Sequence, residues 1–441
     1  MLRDYQQDLY RKTVEAFQAG YRRPLVVAPC GAGKSYLFLE MIRRTRGEVV
    51  VLTHRQELKQ QHEALLAEHG ITNARVAMVI TEALHLGEHP RPALIVVDEA
   101  HLSRSNSWVK VIEHYDTYTV GFTATPIRLD GKPLGSVYDT LVEGVDVQWL
   151  IEHERLAPFT YYAPMTVDTE GLTIRNGDYA LSELEKLMCG RAVYGDVIRS
   201  YETLAGGARA ICYCCSLKHA DETARAFRDA GIRAEVVSSR TPPDQRRRIM
   251  GDFRAGALDV LCNVGIISEG ISIDDVTCCI LLRPTESHAL YWQQAMRCMR
   301  YQPGKQAIIL DCVGNYTRNP MPDEQVEWSL LQSPCKKPLQ NSVGDFCIRV
   351  CKSCFRTFKT APVCPYCGEE YELHPREIKV KQDIELQRIT AEEAALVAET
   401  KAKMRREVQR ARTYPELARI AKERGYSQGW IYQMMKARKK S

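Results

Sequence analysis

The chain has 441 residues, 45% of them apolar and 26% charged, the balance of a globular protein too long for one ordinary domain. No run of 18 apolar residues occurs and the opening MLRDYQQDLY lacks a signal peptide's apolar core, so neither a membrane partner nor export is expected. A reducing, cytoplasmic setting follows as an expectation, in which the 16 cysteines hold metal or pack in cores rather than form disulfides. The net charge of +5 is uneven: residues 401–441 carry 13 Lys and Arg against 3 Glu, or +10, which leaves −5 for the remainder. That excess points to an anionic partner for the tail.

In chain order, a short helix follows LRDYQ, and then PLVVAPC, EVVVLT, RVAMVI, ALIVVDEA and TYTVGFTA read as strands. GKSYLFLEMIRR and RQELKQQHEALLAEHG read as the helices after the first two. Unbroken Val/Ile runs without alternation predict strands buried on both faces, hence a parallel sheet. From about residue 209 the rhythm restarts with RAICYCCS, RAEVVSS, DVLCNVG, TCCILLR and QAIILDCVG. Two helical patterns in this half, KHADETARAFRDAG and PDQRRRIMGDFRAG, end in Gly at C-cap positions. After residue 315 a polar, Pro-punctuated stretch predicts a linker.

The chemistry is concentrated at strand ends. APCGAGKS, residues 28–35, is a Gly-rich turn between strand and helix: Gly31 and Gly33 let the backbone approach phosphates, Lys34 reaches their oxygens, and Ser35 ligates magnesium. Ala28 stands where the strict pattern has Gly. IVVDEAH brings Asp98 to a strand's carboxyl end to hold magnesium, with Glu99 beside it to activate water and His101 as a sensor of the facing domain. In GFTATP, Thr123 and Thr125 can hydrogen-bond that acidic loop. QQAMRCMR places Arg297 and Arg300 three apart on one helical face, as planar cations for a γ-phosphate. The second half has no GKS loop of its own, so those arginines can serve only a nucleotide bound to the first half. In LRDYQ, the Gln6 amide suits an adenine edge and Arg3 its face.

Taken in order, LRDYQ, APCGAGKS, VLTHRQEL, VVDEAH, GFTATPIRLDG, NVGIISEGISIDDV and QQAMRCMR resemble a superfamily 2, DEAH-box-like helicase. LVEGVDVQWLIEHERLAP and ILLRPTESHALYWQQAMRCMRYQPGK are similar to RadD-type bacterial DNA repair helicases and their phage-encoded relatives. The resemblance covers roughly residues 1–315 and implies two tandem RecA-like domains, with ATP in the cleft between them and nucleic acid crossing both. It matches Thr53, His54 and Arg55 to a segment that grips the sugar-phosphate backbone, and Gly270 to a turn joining both ligands. Two positions depart from the pattern: Met296 stands for the usual Gly before Arg297, and Ser272 for the usual Asp after Gly270.

CKSCFRTFKTAPVCPYCG carries CxxC, nine residues, then CxxC, so Cys351, Cys354, Cys364 and Cys367 suit a tetrahedral, structural zinc ribbon, with Cys347 as a substitute ligand. Cys212, Cys214, Cys215, Cys278 and Cys279 lie in apolar strands and read as core. TAEE and TYPE are capping-box starts for helices in the basic tail. The expected layout is an α/β chain of two RecA-like parallel-sheet domains, 1–150 and 151–315, a linker at 316–346, a zinc ribbon at 347–372 and a basic helical tail at 373–441. The expected activity is that of a monomeric, ATP-, magnesium- and zinc-dependent DNA helicase or translocase on single-stranded, forked or branched DNA, with repair or replication proteins as further partners. An RNA helicase, and a nucleotide-gated clamp or adaptor without unwinding, are the alternatives.

Overall fold

The computed structural model describes residues 2–103, 105–127, 134–163, 174–175, 178–179, 191–265, 275–331, 348–350, 357–359, 387–389, 411 and 413–424. Helix α1 (Asp4–Gln18) buries Tyr5, Leu9 and Thr13, one residue per turn, against the first sheet. That sheet holds β1 (Pro24–Val27), β2 (Val49–Thr53), β3 (Ala74–Met78), β4 (Leu94–Asp98), β5 (Tyr118–Thr123) and β6 (Thr140–Glu143), ordered β3-β2-β4-β5-β1-β6 and parallel throughout. The expected two-sided burial holds, since β1, β2 and β4 are buried along their whole length. Helices α2 (Lys34–Arg44), α3 (Gln56–Glu68), α4 (Val79–Leu84) and α5 (Asn106–Tyr115) supply the crossovers. RVAMVI is only partly strand: the chain turns at Met78, and Val79 opens α4.

After α6 (Val147–Glu152) the chain enters a second sheet through β7 (Phe159–Ala163). A short antiparallel pair, β8 (Ile174–Arg175) and β9 (Asp178–Tyr179), precedes α7 (Arg191–Ala205). The sheet is completed by β10 (Ala210–Tyr213), β11 (Ala234–Ser238), β12 (Val260–Val264), β13 (Cys278–Leu281) and β14 (Ala307–Asp311). Its order is β11-β12-β10-β13-β14-β7, all parallel. Helices α8 (Leu217–Asp229) and α9 (Pro243–Arg254) are followed by Gly231 and Gly256 at φ of 81° and 76°, the left-handed C-terminal turns that the Ala-Gly endings predict. Helix α10 (His288–Ala295) leads into a 3₁₀ turn, Met296–Met299.

Cys212, Cys214, Cys215 and Cys278 lie in the second core with Phe227, Ile280 and Leu310, as the core reading expects. The sulfurs of Cys212, Cys214 and Cys262 approach within 4.8 Å of one another because Cys212 and Cys262 are register partners and Cys214 is two residues on. No fourth donor joins them among the described residues. Beyond residue 315, Trp328 and Leu330 pack on the first core, and Gly135 N–H donates to the Leu330 carbonyl at 2.9 Å. Trp292 Nε1–H donates to the Pro320 carbonyl at 3.1 Å, so the expected linker begins as a strap from α10 to the first sheet.

Further on, β15 (Ile348–Val350) and β16 (Thr357–Lys359) form an antiparallel pair. β17 (Gln387–Ile389) adds antiparallel to the outer edge of β7, an element no motif announced. Helix α11 (Tyr414–Arg424) starts at TYPE with the expected capping box, Thr413 N–H to Glu416 Oε2 at 2.9 Å and Glu416 N–H back to Thr413 Oγ1 at 3.5 Å. Gly270, Ser272, Cys347, Cys351, Cys354, Cys364 and Cys367 lie outside the described residues, as do the TAEE helix and residues 425–441.

Candidate active site

β4, β5 and β1 are neighbours, so the loops at their carboxyl ends converge at one edge of the first sheet. Gly31 and Gly33 take φ of 85° and 79°, values that side chains beyond Gly rarely adopt. Their turn delivers Lys34 and Ser35 to the first turn of α2, where the leading backbone N–H groups have no intrahelical acceptor. Lys34 Nζ donates to the carbonyls of Ala28 and Pro29, at 3.1 and 3.3 Å, and so lies over the loop. Gln6 is buried, and both ends of its amide meet protein backbone: Nε2 donates to Ala32 O at 3.0 Å, and Oε1 accepts from Arg3 N–H at 2.9 Å. Tyr5 O–H also donates to Ala32 O, at 3.1 Å. In this conformation Gln6 braces the phosphate loop instead of presenting a free amide to a base, and Arg3 is exposed at the start of α1.

At the end of β4, Asp98 Oδ1 accepts from Glu99 N–H at 3.0 Å, and Oδ2 meets His62 Nε2 at 2.9 Å. Burial pushes the Asp98 carboxyl up, but the hydrogen bond and field of His62, with the charge of Lys34, outweigh it and hold Asp98 below the usual carboxylate range. Glu99 takes φ of 51°, a left-handed backbone for a residue with a Cβ. Its Oε2 is buried without a hydrogen bond, 3.4 Å from His101 Nδ1. That nitrogen also lies 3.4 Å from Thr123 Oγ1, which donates to Thr125 O at 2.9 Å. The expected hydroxyl contact with the acidic loop is therefore made by Thr123, and the Nδ1 side of His101 faces its own domain.

The second sheet brings its arginines to this edge. Helix α10 ends at Ala295 and tightens to a 3₁₀ turn over Met296–Met299, so Arg297 lies in that turn and Arg300 is the first residue past it, not on one α-helical face with Arg297 as expected. Arg300 forms an isolated antiparallel bridge with Leu156, and Ala157 N–H donates to Met299 O at 2.8 Å. Leu156 in turn sits over the phosphate loop, because a Cβ on Gly31 would lie 2.7 Å from its Cδ2. Burial pushes the Cys30 thiol up, and the charges acting on it are those of Lys34, Glu99, Arg297 and Arg300. One loop residue thus feels groups from both sheets.

Thr53 is fully buried at the end of β2 with its hydroxyl unpartnered, while His54 and Arg55 are half-buried. Arg55 donates to His54 Nε2 at 3.1 Å and across to the Gly265 carbonyl, also at 3.1 Å. The donor set fits a magnesium nucleotide: a loop with left-handed glycines, an ionised carboxylate, a hydroxyl at a helix start, and a buried carboxylate oxygen without a hydrogen bond. No motif signalled His62. The available signal was its position between Leu58 and Leu66, a lone polar group in the apolar stripe of α3.

Residues 1–83 and 81–128 match the family described as type III restriction enzyme, res subunit, and residues 195–302 match the helicase conserved C-terminal domain. A "51.5 kDa protein" of a Lactococcus phage is 35% identical over 380 residues, covering 84% of this chain and 83% of that protein. IRC3 of Saccharomyces cerevisiae, described as an ATP-dependent helicase, is 27% identical over 361 residues, covering 71% of this chain but 52% of that protein. The chain thus spans about half the length of the yeast relative. In fold alone, it resembles the ATP-dependent Type ISP restriction-modification enzyme LlaBIII bound to DNA, with a TM-score of 0.53 and 16% identity over 70% of this chain and 27% of that one. No helix among the described residues is long and apolar enough to cross a membrane. With two parallel sheets, a phosphate loop on the first and these matches, the chain belongs to the superfamily 2 helicases and is an ATP-dependent one with a phage relative.

Proposed function

We propose that the chain is an ATP-driven DNA translocase that remodels forked or branched intermediates. The observation that carries this reading is the composite site: Leu156 lies against Gly31 of the phosphate loop and bridges to Arg300 of the second half, with Arg297 three residues before it. Lys34 leaves the Ala28 and Pro29 carbonyls for the β- and γ-phosphates, and Gly31 and Gly33 cradle them. Ser35 and Asp98 would hold magnesium, which when bound offsets charge on the phosphate oxygens. Glu99, whose Oε2 makes no hydrogen bond, orients the attacking water and takes its proton. Arg297 and Arg300 stabilise the charge that develops on the transferred phosphoryl group.

Thr53 ends β2 and His54 and Arg55 follow it on the first sheet, and the Arg55 bond to Gly265 supports their moving with the second. Gly270 is assigned to the same coupling. The paired strands β15 and β16 flank the first CxxC, which supports a zinc ribbon held by Cys351, Cys354, Cys364 and Cys367. The basic tail is assigned to the nucleic-acid backbone, and the whole acts as a cytoplasmic monomer in the layout 1–150, 151–315, 316–346, 347–372 and 373–441.

The test is ATPase activity over single-stranded, duplex, forked and four-way DNA with matched RNA. Stimulation greatest with forked or branched DNA is expected, and stimulation by RNA alone would overturn the substrate. Lys34→Ala is expected to abolish turnover while retaining DNA binding in a mobility-shift assay. Full turnover in that variant would refute the site.

A further inference from the structure

His62 belongs to no nucleotide-binding motif, yet it touches the carboxylate on which the magnesium site depends. It lies on α3, 2% exposed, with Nε2 2.9 Å from Asp98 Oδ2. Phe38, on the helix that follows the phosphate loop, presents an edge-to-face contact to the imidazole at 5.1 Å between ring centroids. Oδ2 is an acceptor within 2.9 Å, so the tautomer that makes this bond has Nε2 protonated and donating. Nδ1 is then left buried with no hydrogen-bond partner. A polar atom stranded in an apolar stripe loses its bond to water and gains none in return. A leucine in line with Leu58 and Leu66 would avoid that loss, so packing of α3 alone gives no reason for an imidazole here.

The ring leaves Asp98 only one freedom. Oδ2 is engaged by His62 and Oδ1 by Glu99 N–H, so the carboxylate plane is fixed from both sides. A fixed carboxylate binds a hard cation better than a rotating one, and groups that orient metal ligands typically contribute ~10–100-fold in metal affinity. α3 also begins immediately after Thr53, His54 and Arg55, the segment assigned to the nucleic-acid backbone. A displacement of that segment would therefore reach Asp98 through the part of α3 from Gln56 to His62, about two turns of helix.

We propose that His62 is a positioning residue: it sets the orientation of Asp98 for magnesium and ties the metal site to the helix that leaves the nucleic-acid segment. The inference rests on reading Asp98 as a magnesium ligand and goes one residue further.

The experiment titrates magnesium into the full chain with a fluorescent ATP analogue and reads nucleotide binding rather than turnover. His62→Leu keeps the stripe apolar and removes the donor. His62→Asn keeps an amide that is too short to reach Asp98. His62→Gln can return an N–H to the position of Nε2. The Leu and Asn variants are expected to need about tenfold more magnesium for half-maximal binding, with Gln within about threefold of the parent and metal-free affinity equal in all four. Parent-like magnesium dependence in both Leu and Asn, or a Gln variant as impaired as they are, would overturn the role of His62. Circular dichroism of each variant identifies any that is unfolded, and the remaining donor-lacking variant then decides against Gln. If the parent itself binds the analogue equally with and without magnesium, the nucleotide-site reading fails and this inference fails with it.

Discussion

Gly33 shows how narrowly one residue can be determined. It needs a φ of 79°, and a Cβ there would lie 2.4 Å from Gln6 Nε2. Left-handed backbone costs a residue with a side chain about 1–2 kcal/mol, and the clash would also swing Gln6 off the Ala32 carbonyl. Gly33→Ala is therefore expected to lose at least tenfold in ATP affinity by calorimetry while the sheet stays folded. Gly31→Ala meets the far end of a leucine side chain instead, which can move, so the backbone term is its main penalty. Gln6 carries a different lesson. Its residue type suits an adenine edge or a backbone carbonyl equally, and only the packing of α1 onto the loop engages it with the second.

Between elements, a buried ion pair ties β3, α4 and α5 together. Arg75 forks onto Glu82 at 2.6 and 2.8 Å, and Tyr115 O–H donates to the same carboxylate at 2.6 Å. Burial pushes the Glu82 carboxyl up, yet Arg75 and Tyr115 outweigh it and hold Glu82 below its ordinary value. A carboxylate lowered in the folded state contributes stability above its unfolded pKa and loses it as pH falls through the folded one. Glu82→Gln is expected to flatten the acid limb of a stability-versus-pH curve. At neutral pH it should cost about 2 kcal/mol, on the low side for a broken buried pair because Arg75 is 24% exposed and keeps Glu48. The pattern of α4 was hidden because VAMVI reads equally well as strand. Arg75 and Glu82, seven residues apart, meet only when the chain turns between them. β7 was missed for a related reason: FTYYA is half-buried and short, and its outer edge is covered by a strand more than two hundred residues later.

At the scale of the whole molecule, two polar contacts between the halves stand out among the described residues. Arg246 pairs with Glu57 at 2.7 Å and Arg55 donates to Gly265, both at accessible positions. Exposed pairs contribute about 0–1 kcal/mol each, weak enough for a cleft that opens and closes within each ATP cycle. In the proposed site, catalysis would then depend on Arg297 and Arg300 arriving with the second sheet. Arg297→Ala is expected to lower kcat for ATP by about 10³ while the affinity for nucleotide changes little. Steady-state turnover set beside equilibrium binding separates the two, and equal losses in both would place Arg297 in ground-state binding instead.

The parallel sheets, the phosphate loop and the acidic strand end are legible in the residues alone, because each has a local physical requirement. Buried strands need unbroken apolar runs, a phosphate cradle needs glycine backbone, and a metal needs a carboxylate where a strand stops. The packing of distant segments, by contrast, is what sets His62 on Asp98, Gln6 against the loop, and Leu156 between the loop and Arg300. His62 and Asp98 are 36 residues apart, and the register of α3 against β4 that joins them is set by packing, which no periodicity within either segment encodes.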